Sequence, residues 1–191
     1  MIKFLCSQIF RLQGWTYVNH ISQDLTSFVM LGAPHTSNWD FVPAMTVAHR
    51  LGKTAKFVIK KEWLKFPAGL VLKPMGAIGV DREKIKSGLV SSSTDQMAQL
   101  FKQHVPLVMM IAPEGTRSAN DEWKSGFWHV AQKAQVPVVL AFADYATKTA
   151  GLAKVIYPSD FEKDMREIMA FYRTITPARP EKFQLDKRFL S

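Results

Sequence analysis

Residues 27–51 read SFVMLGAPHTSNWDFVPAMTVAHRL, and the change of pattern inside this stretch decides the fold. Its first part is a short apolar run, which predicts a buried strand near 27–32. Its last part spaces apolar residues at helical intervals, which predicts a helix from about 38 to 51. Between them lies a polar turn that carries an imidazole, His35, and a carboxylate, Asp40. A buried strand that passes through a polar turn into a helix is a building unit of α/β domains.

The same alternation continues on both sides. Ile2, Leu5, Ile9 and Leu12 stand at helical spacing and predict an amphipathic helix over 2–12, within an N-terminal segment of residues 1–20. KFVIK (56–60) reads as a strand, KEWLKFPAGLVLKP (61–74) as a helix broken by Pro67, and GAIGV (76–80) as a short strand. A polar-faced helix is expected over 88–103, the most apolar strand over 105–112 (VPLVMMIA), and a helix over 125–135. PVVLAFA (137–143) and LAKVIYP (152–158) read as two more strands, and a helix over 160–174 precedes a polar tail at 176–191. Trp63, Trp123 and Trp128 fall in the segments read as helical. Strands alternating with helices imply one α/β domain with a mostly parallel central sheet flanked by helices. In such sheets ligands bind where strands end and helices begin.

Composition narrows the class. Of 191 residues, 47% are hydrophobic and 21% charged, which marks a globular chain. The formal net charge of +9 points to anionic partners: nucleic acid, an acidic lipid surface or a phosphorylated substrate. The single cysteine, Cys6, allows no internal disulfide and no cysteine-built metal site, which fits a cytosolic setting. No segment reaches the ~20 apolar residues of a membrane span.

Two polar clusters carry chemistry. In PHTSNWD, Ser37 as N-cap and Asp40 three residues on form a capping-box pattern, in which Asp40 serves the backbone alone. The other reading is a carboxylate that holds His35 in one tautomer, so that the free ring nitrogen takes a proton from a hydroxyl. IAPEGTRS (111–118) follows the most apolar strand; Gly115 permits an unusual turn, and Arg117 offers a planar fork of donors suited to phosphate. The plainer reading there is a polar turn in which Glu114 and Arg117 pair with each other. Lys60 closes one strand and Arg82 follows another, and alone both are ordinary charged residues. His20, His49, His104 and His129 have no partners at metal-ligand spacing, and no glycine-rich phosphate loop is present.

Taken in order, PHTSNWD, KFVIKKEWLKFPAGLVLKPMGAIGVDR, IAPEGTRS with WKSGF, and VPVVLAF resemble the glycerolipid acyltransferase family, whose best-known members are lysophosphatidic acid acyltransferases. The blocks span residues 35 to 142. The resemblance implies that His35 is the general base on an acceptor hydroxyl and that Asp40 orients it. It implies that Glu114, Gly115, Thr116 and Arg117, with Arg82 and Lys60, line the acceptor site and hold a phosphate. The acyl donor would be a thioester of coenzyme A or acyl carrier protein, with no further cofactor and no metal. The acceptor would be a lysophospholipid, 1-acylglycerol 3-phosphate first, with another lysolipid or hydroxylated lipid as the alternative. The N-terminal helix, with Lys3 and Arg11, would then lie on an anionic membrane, on its cytoplasmic side. The competing reading, a non-enzymatic basic module, lacks the patterns of common nucleic-acid-binding folds, so no nucleic-acid partner is expected. One departure is Leu140, where many relatives have a second proline in the fourth block.

Overall fold

The computed structural model describes residues 2–51, 55–80 and 92–190. In chain order the elements are α1 (Ile2–Leu12), β1 (Thr16–Asn19), β2 (Phe28–Gly32), α2 (Phe41–Arg50), β3 (Ala55–Lys60), α3 (Gly69–Met75) and β4 (Ala77–Val80). They continue with α4 (Ser93–Gln103), β5 (Val108–Ile111), α5 (Gly126–Ala134), β6 (Val138–Asp144), β7 (Thr149–Ile156) and α6 (Phe161–Tyr172). The described strands form one sheet in the order β1-β7-β6-β2-β5-β3-β4. All pairings are parallel except β6 with β7, so the expected α/β architecture with a mostly parallel sheet is what the chain adopts.

Strand β2 shows why the core is two-sided. Its residues alternate between faces, as a pleated strand requires. Val29 and Leu31 pack under α5 and α6 with Phe127, Val130, Met165 and Met169. Phe28 and Met30 pack on the opposite face with Val47 and Ala48 of α2. Residues 28–31 are all buried, which is why this strand reads as a continuous apolar run. Leu140, at the position of the missing proline, is fully buried in the same core and lies in register with Leu31.

Several segments differ from the sequence reading. Strand β1 was not anticipated: it has four residues, lies at the sheet edge and is only half-buried, so it carries no periodicity to read. Trp123 lies in the loop before α5 rather than in a helix. Its indole is buried, donates to the Gln184 carbonyl at 3.0 Å, and its backbone N–H donates to Asp186 at 2.9 Å. The segment read as a polar tail thus packs on the domain: Asp186 and Phe189 are buried, and Arg188 donates to both Asp186 (2.7 Å) and the Trp123 carbonyl (3.0 Å). The helix expected over 88–103 is observed over Ser93–Gln103, with Ser92 extended as its N-cap, while residues 88–91 lie outside the described ones.

Asp186→Ala would strand the Trp123 N–H and the Arg188 guanidinium together. It is expected to lower stability by about 2 kcal/mol in urea unfolding, and Asp186→Asn by clearly less.

Candidate active site

The site forms at the carboxyl ends of three adjacent parallel strands. β2 lies between β5 and β6, with Leu31 opposite both Ile111 and Leu140. β2 leads into His35, β5 into Glu114, and β6 into Tyr145. Residues 110 positions apart in sequence therefore meet at one edge of the sheet, the expected place for a ligand in this architecture.

The turn after β2 is a completed capping box. Ser37 is the N-cap of a short 3-10 turn over Asn38–Asp40, and its hydroxyl accepts from the Trp39 N–H at 3.1 Å. Asp40 Oδ2 accepts the backbone N–H groups of Thr36 and Ser37 at 2.7 and 2.8 Å. That same oxygen lies 3.6 Å from His35 Nδ1, an ion-pair distance. One carboxylate thus caps the turn and lies beside the imidazole. The other oxygen, Oδ1, accepts from the Tyr145 hydroxyl at 2.8 Å. Burial by itself would raise the Asp40 carboxyl. The donors His35, Ser37, Tyr145 and Thr36 together outweigh it and hold the group below its usual range. Tyr145 is pushed upward, by burial first and then by the Asp40 charge and hydrogen bond, so it stays a donor.

Tyr145 was not among the sequence candidates. No motif marks it, and it reaches the site across 105 residues of chain. It is held from behind: Trp15 packs edge-on at 4.8 Å between ring centres, and Phe10 of α1 stacks on Trp15 at 5.5 Å.

Glu114 has a different place from the one expected. Its Oε1 accepts the His35 backbone N–H at 2.8 Å, while Oε2 is buried with no partner. It does not pair with Arg117, and among the described residues no ion pair joins the two. Burial pushes the Glu114 carboxyl up to about 7, against the opposing effects of the His35 N–H and the His35 side chain. Glu114 thus clamps the backbone at His35 through one of its two oxygens. Gly115 takes φ +66°, a left-handed conformation that favours glycine, and a Cβ there would only displace the flexible end of the Lys124 side chain. Thr116 is exposed, and its hydroxyl accepts from the Ser118 N–H at 3.2 Å. Arg117 is exposed on the rim of the cavity described next. Lys60 is the last residue of β3, and Arg82 lies outside the described residues.

A cavity of about 380 Å³ runs between α2 and the strand ends. Its depth is apolar, with Met30, Met45, Val47, Phe57 and Met110 on the walls. His35, Asn38, Asp40 and Arg117 are its polar contributors. A titratable pair at the edge of an apolar space, with a guanidinium on the rim, suits an amphiphile with an anionic head. Among the described residues no group of His, Cys, Asp and Glu side chains could hold a metal ion.

Comparison with known proteins gives the class. The model of the Acyltransferase family matches residues 18–141, a span that contains β2, β5 and both polar clusters. The chain belongs to this acyltransferase family and is an acyltransferase. No curated protein matches it significantly. Among solved structures it is similar to the 1-acyl-sn-glycerophosphate (LPA) acyltransferase PlsC from Thermotoga maritima. The identity is 18%, the TM-score 0.57, and the match covers 93% of this chain and 79% of that one. The likeness shows a shared fold.

The Glu114 carboxyl gives a signed pH effect. Its folded-state value of about 7 lies above its ordinary 4.5, so the folded protein binds the extra proton. Stability from this group is complete at low pH, falls as pH rises from about 4.5 to 7, and is level above. Glu114→Gln, which keeps an acceptor for the His35 N–H, is expected to flatten that part of the stability–pH curve measured by urea unfolding. Tyr145→Phe, which removes one charge-assisted hydrogen bond from Asp40, is expected to lower kcat about tenfold with little change in acceptor KM.

Proposed function

We propose that the protein moves a fatty acyl group from a thioester donor to the free hydroxyl of a lysophospholipid, with 1-acylglycerol 3-phosphate as the acceptor best suited to the site. The observation that carries this reading is the His35–Asp40 pair at the polar edge of an apolar cavity with Arg117 on its rim. With Nδ1 turned to Asp40, Nε2 is left to take the hydroxyl proton as the oxygen attacks the thioester carbonyl. The carboxylate stabilises the imidazolium that forms, as in other histidine-based acyl transfer. The same imidazolium returns the proton to the departing thiolate. A thioester is already activated, so the chain needs neither a covalent enzyme intermediate nor a metal for this step. Arg117 pairs with the acceptor phosphate, and the apolar walls take hydrocarbon.

The acceptor's home suggests how the protein works at a membrane. α1 buries Cys6 and Phe10 against the domain and leaves Phe4, Leu5 and Leu12 exposed, Leu12 at 82%. The predicted apolar stripe is therefore divided, with Ile2 and Ile9 turned to the core and Leu5 and Leu12 turned out. An exposed apolar edge flanked by Lys3 and Arg11 fits an anionic bilayer surface. No helix among the described residues is long and apolar enough to cross a membrane.

The test is mass-spectrometric product detection with lysophosphatidic acid vesicles and a panel of acyl thioesters. Wild type is expected to form phosphatidic acid, and His35→Ala to lose about a hundredfold or more of the rate while keeping its fold. A folded His35→Ala protein with full activity would overturn the assignment of the base. Turnover of a neutral lipid in place of lysophosphatidic acid would overturn the acceptor.

A further inference from the structure

A second cavity, of about 710 Å³, borders the same turn. It shares no lining residue with the apolar one. The turn alternates between the two: Asn38, Asp40, Phe41 and Ala44 line the apolar cavity, whereas Ser37, Trp39 and Pro43 line the second. The turn is therefore a partition, one residue thick. Ser37 and Tyr145, which both bond to Asp40, lie on the second side.

This second cleft is polar and its equipment is unused by the reading above. Lys148 and Arg179 line it against one carboxylate, Glu181. Arg179 forms no ion pair among the described residues, and its backbone N–H is tied to Thr36 Oγ1 at 3.2 Å, which fixes its segment against the turn. Lys148 donates to the Gln13 carbonyl at 3.0 Å, has further protons free, and sits in a left-handed conformation at φ +49° where glycine or asparagine is the cheaper residue. Trp39 is 62% exposed in a turn that buries Ser37 and Asp40, and it lines the cleft. Two cations that form no ion pair among the described residues, beside an exposed indole, make a surface for a phosphate next to a planar or amide-bearing chain.

Acyl transfer takes two amphiphiles. Arg117 stands at the apolar cavity, where the acceptor phosphate is assigned, which leaves the phosphate of the donor without a cation. We propose that the cleft lined by Trp39, Lys148 and Arg179 docks the phosphopantetheine arm of the thioester donor, the chemistry common to coenzyme A and acyl carrier protein. The proposal rests on the acyl-transfer reading. It makes the partition turn the place where donor and acceptor meet, with each anionic group held on its own side of Asp40.

The experiment compares wild type, Arg179→Glu and Lys148→Glu in steady-state kinetics, with Arg166→Glu on the exposed face of α6 as the charge control. Three donors carry the same acyl chain: acyl-coenzyme A, acyl carrier protein, and acyl-pantetheine, which lacks the phosphate. The KM of a phosphorylated donor is expected to rise about tenfold or more in both cleft variants, and that of acyl-pantetheine and of the acceptor to stay put. Which phosphorylated donor responds identifies the source of the arm. Unchanged donor KM values, or a rise in acceptor KM instead, overturn the proposal. Titration of tryptophan emission with phosphopantetheine needs no turnover, and quenching in wild type that is lost in Arg179→Glu is the expected result. Such quenching in a wild type that acylates no acceptor would sink the acyl-transfer reading and leave the cleft standing, whereas turnover without quenching would do the reverse.

Discussion

The Asp40 carboxylate is a buried charge that the fold keeps only because every direction around it holds a donor. Two backbone N–H groups, one phenol and one imidazole surround two oxygens. A buried carboxylate short of such partners takes up a proton, and a protonated Asp40 would neither close the turn nor stabilise a charged imidazole. Capping is therefore not a rival use of the residue. The same hydrogen bonds that start the turn keep the group ionised beside the imidazole.

The sheet supplies the rest by position alone. Each of the three strands that meet at the site is a plain apolar run, and none needs an unusual conformation. Chemistry enters only in the residues just past the strand ends, where the parallel sheet brings chain segments far apart in sequence into contact. Glu114 shows the same logic from β5. A carboxyl that looks like a ligand by its type is spent on the backbone of His35, so it sets where the imidazole starts from rather than what it touches.

The strands and helices that carry a strong apolar period were legible in the sequence, because burial on one or both faces writes that period directly. Strand β1 was not, since an edge strand of four half-buried residues has little to write. His35, Asp40 and Arg117 were legible as members of ordered blocks, and the structure places all three on one cavity. Tyr145 and the Glu114–His35 bond were not, because each depends on which strands become neighbours, and that is settled by packing across the whole domain. Trp39 was passed over for a related reason: only solvent exposure in the folded chain separates an idle indole from a core one.

Phe10, Trp15 and Tyr145 form a continuous stack that ends on Asp40. The helix at one end of that stack is the one that turns Phe4, Leu5 and Leu12 outward. The helix with the outward apolar edge and the support behind Asp40 are thus a single object. A chain shortened past Leu12 would lose Phe10 from behind Trp15, and with it part of the support for the Tyr145 bond to Asp40.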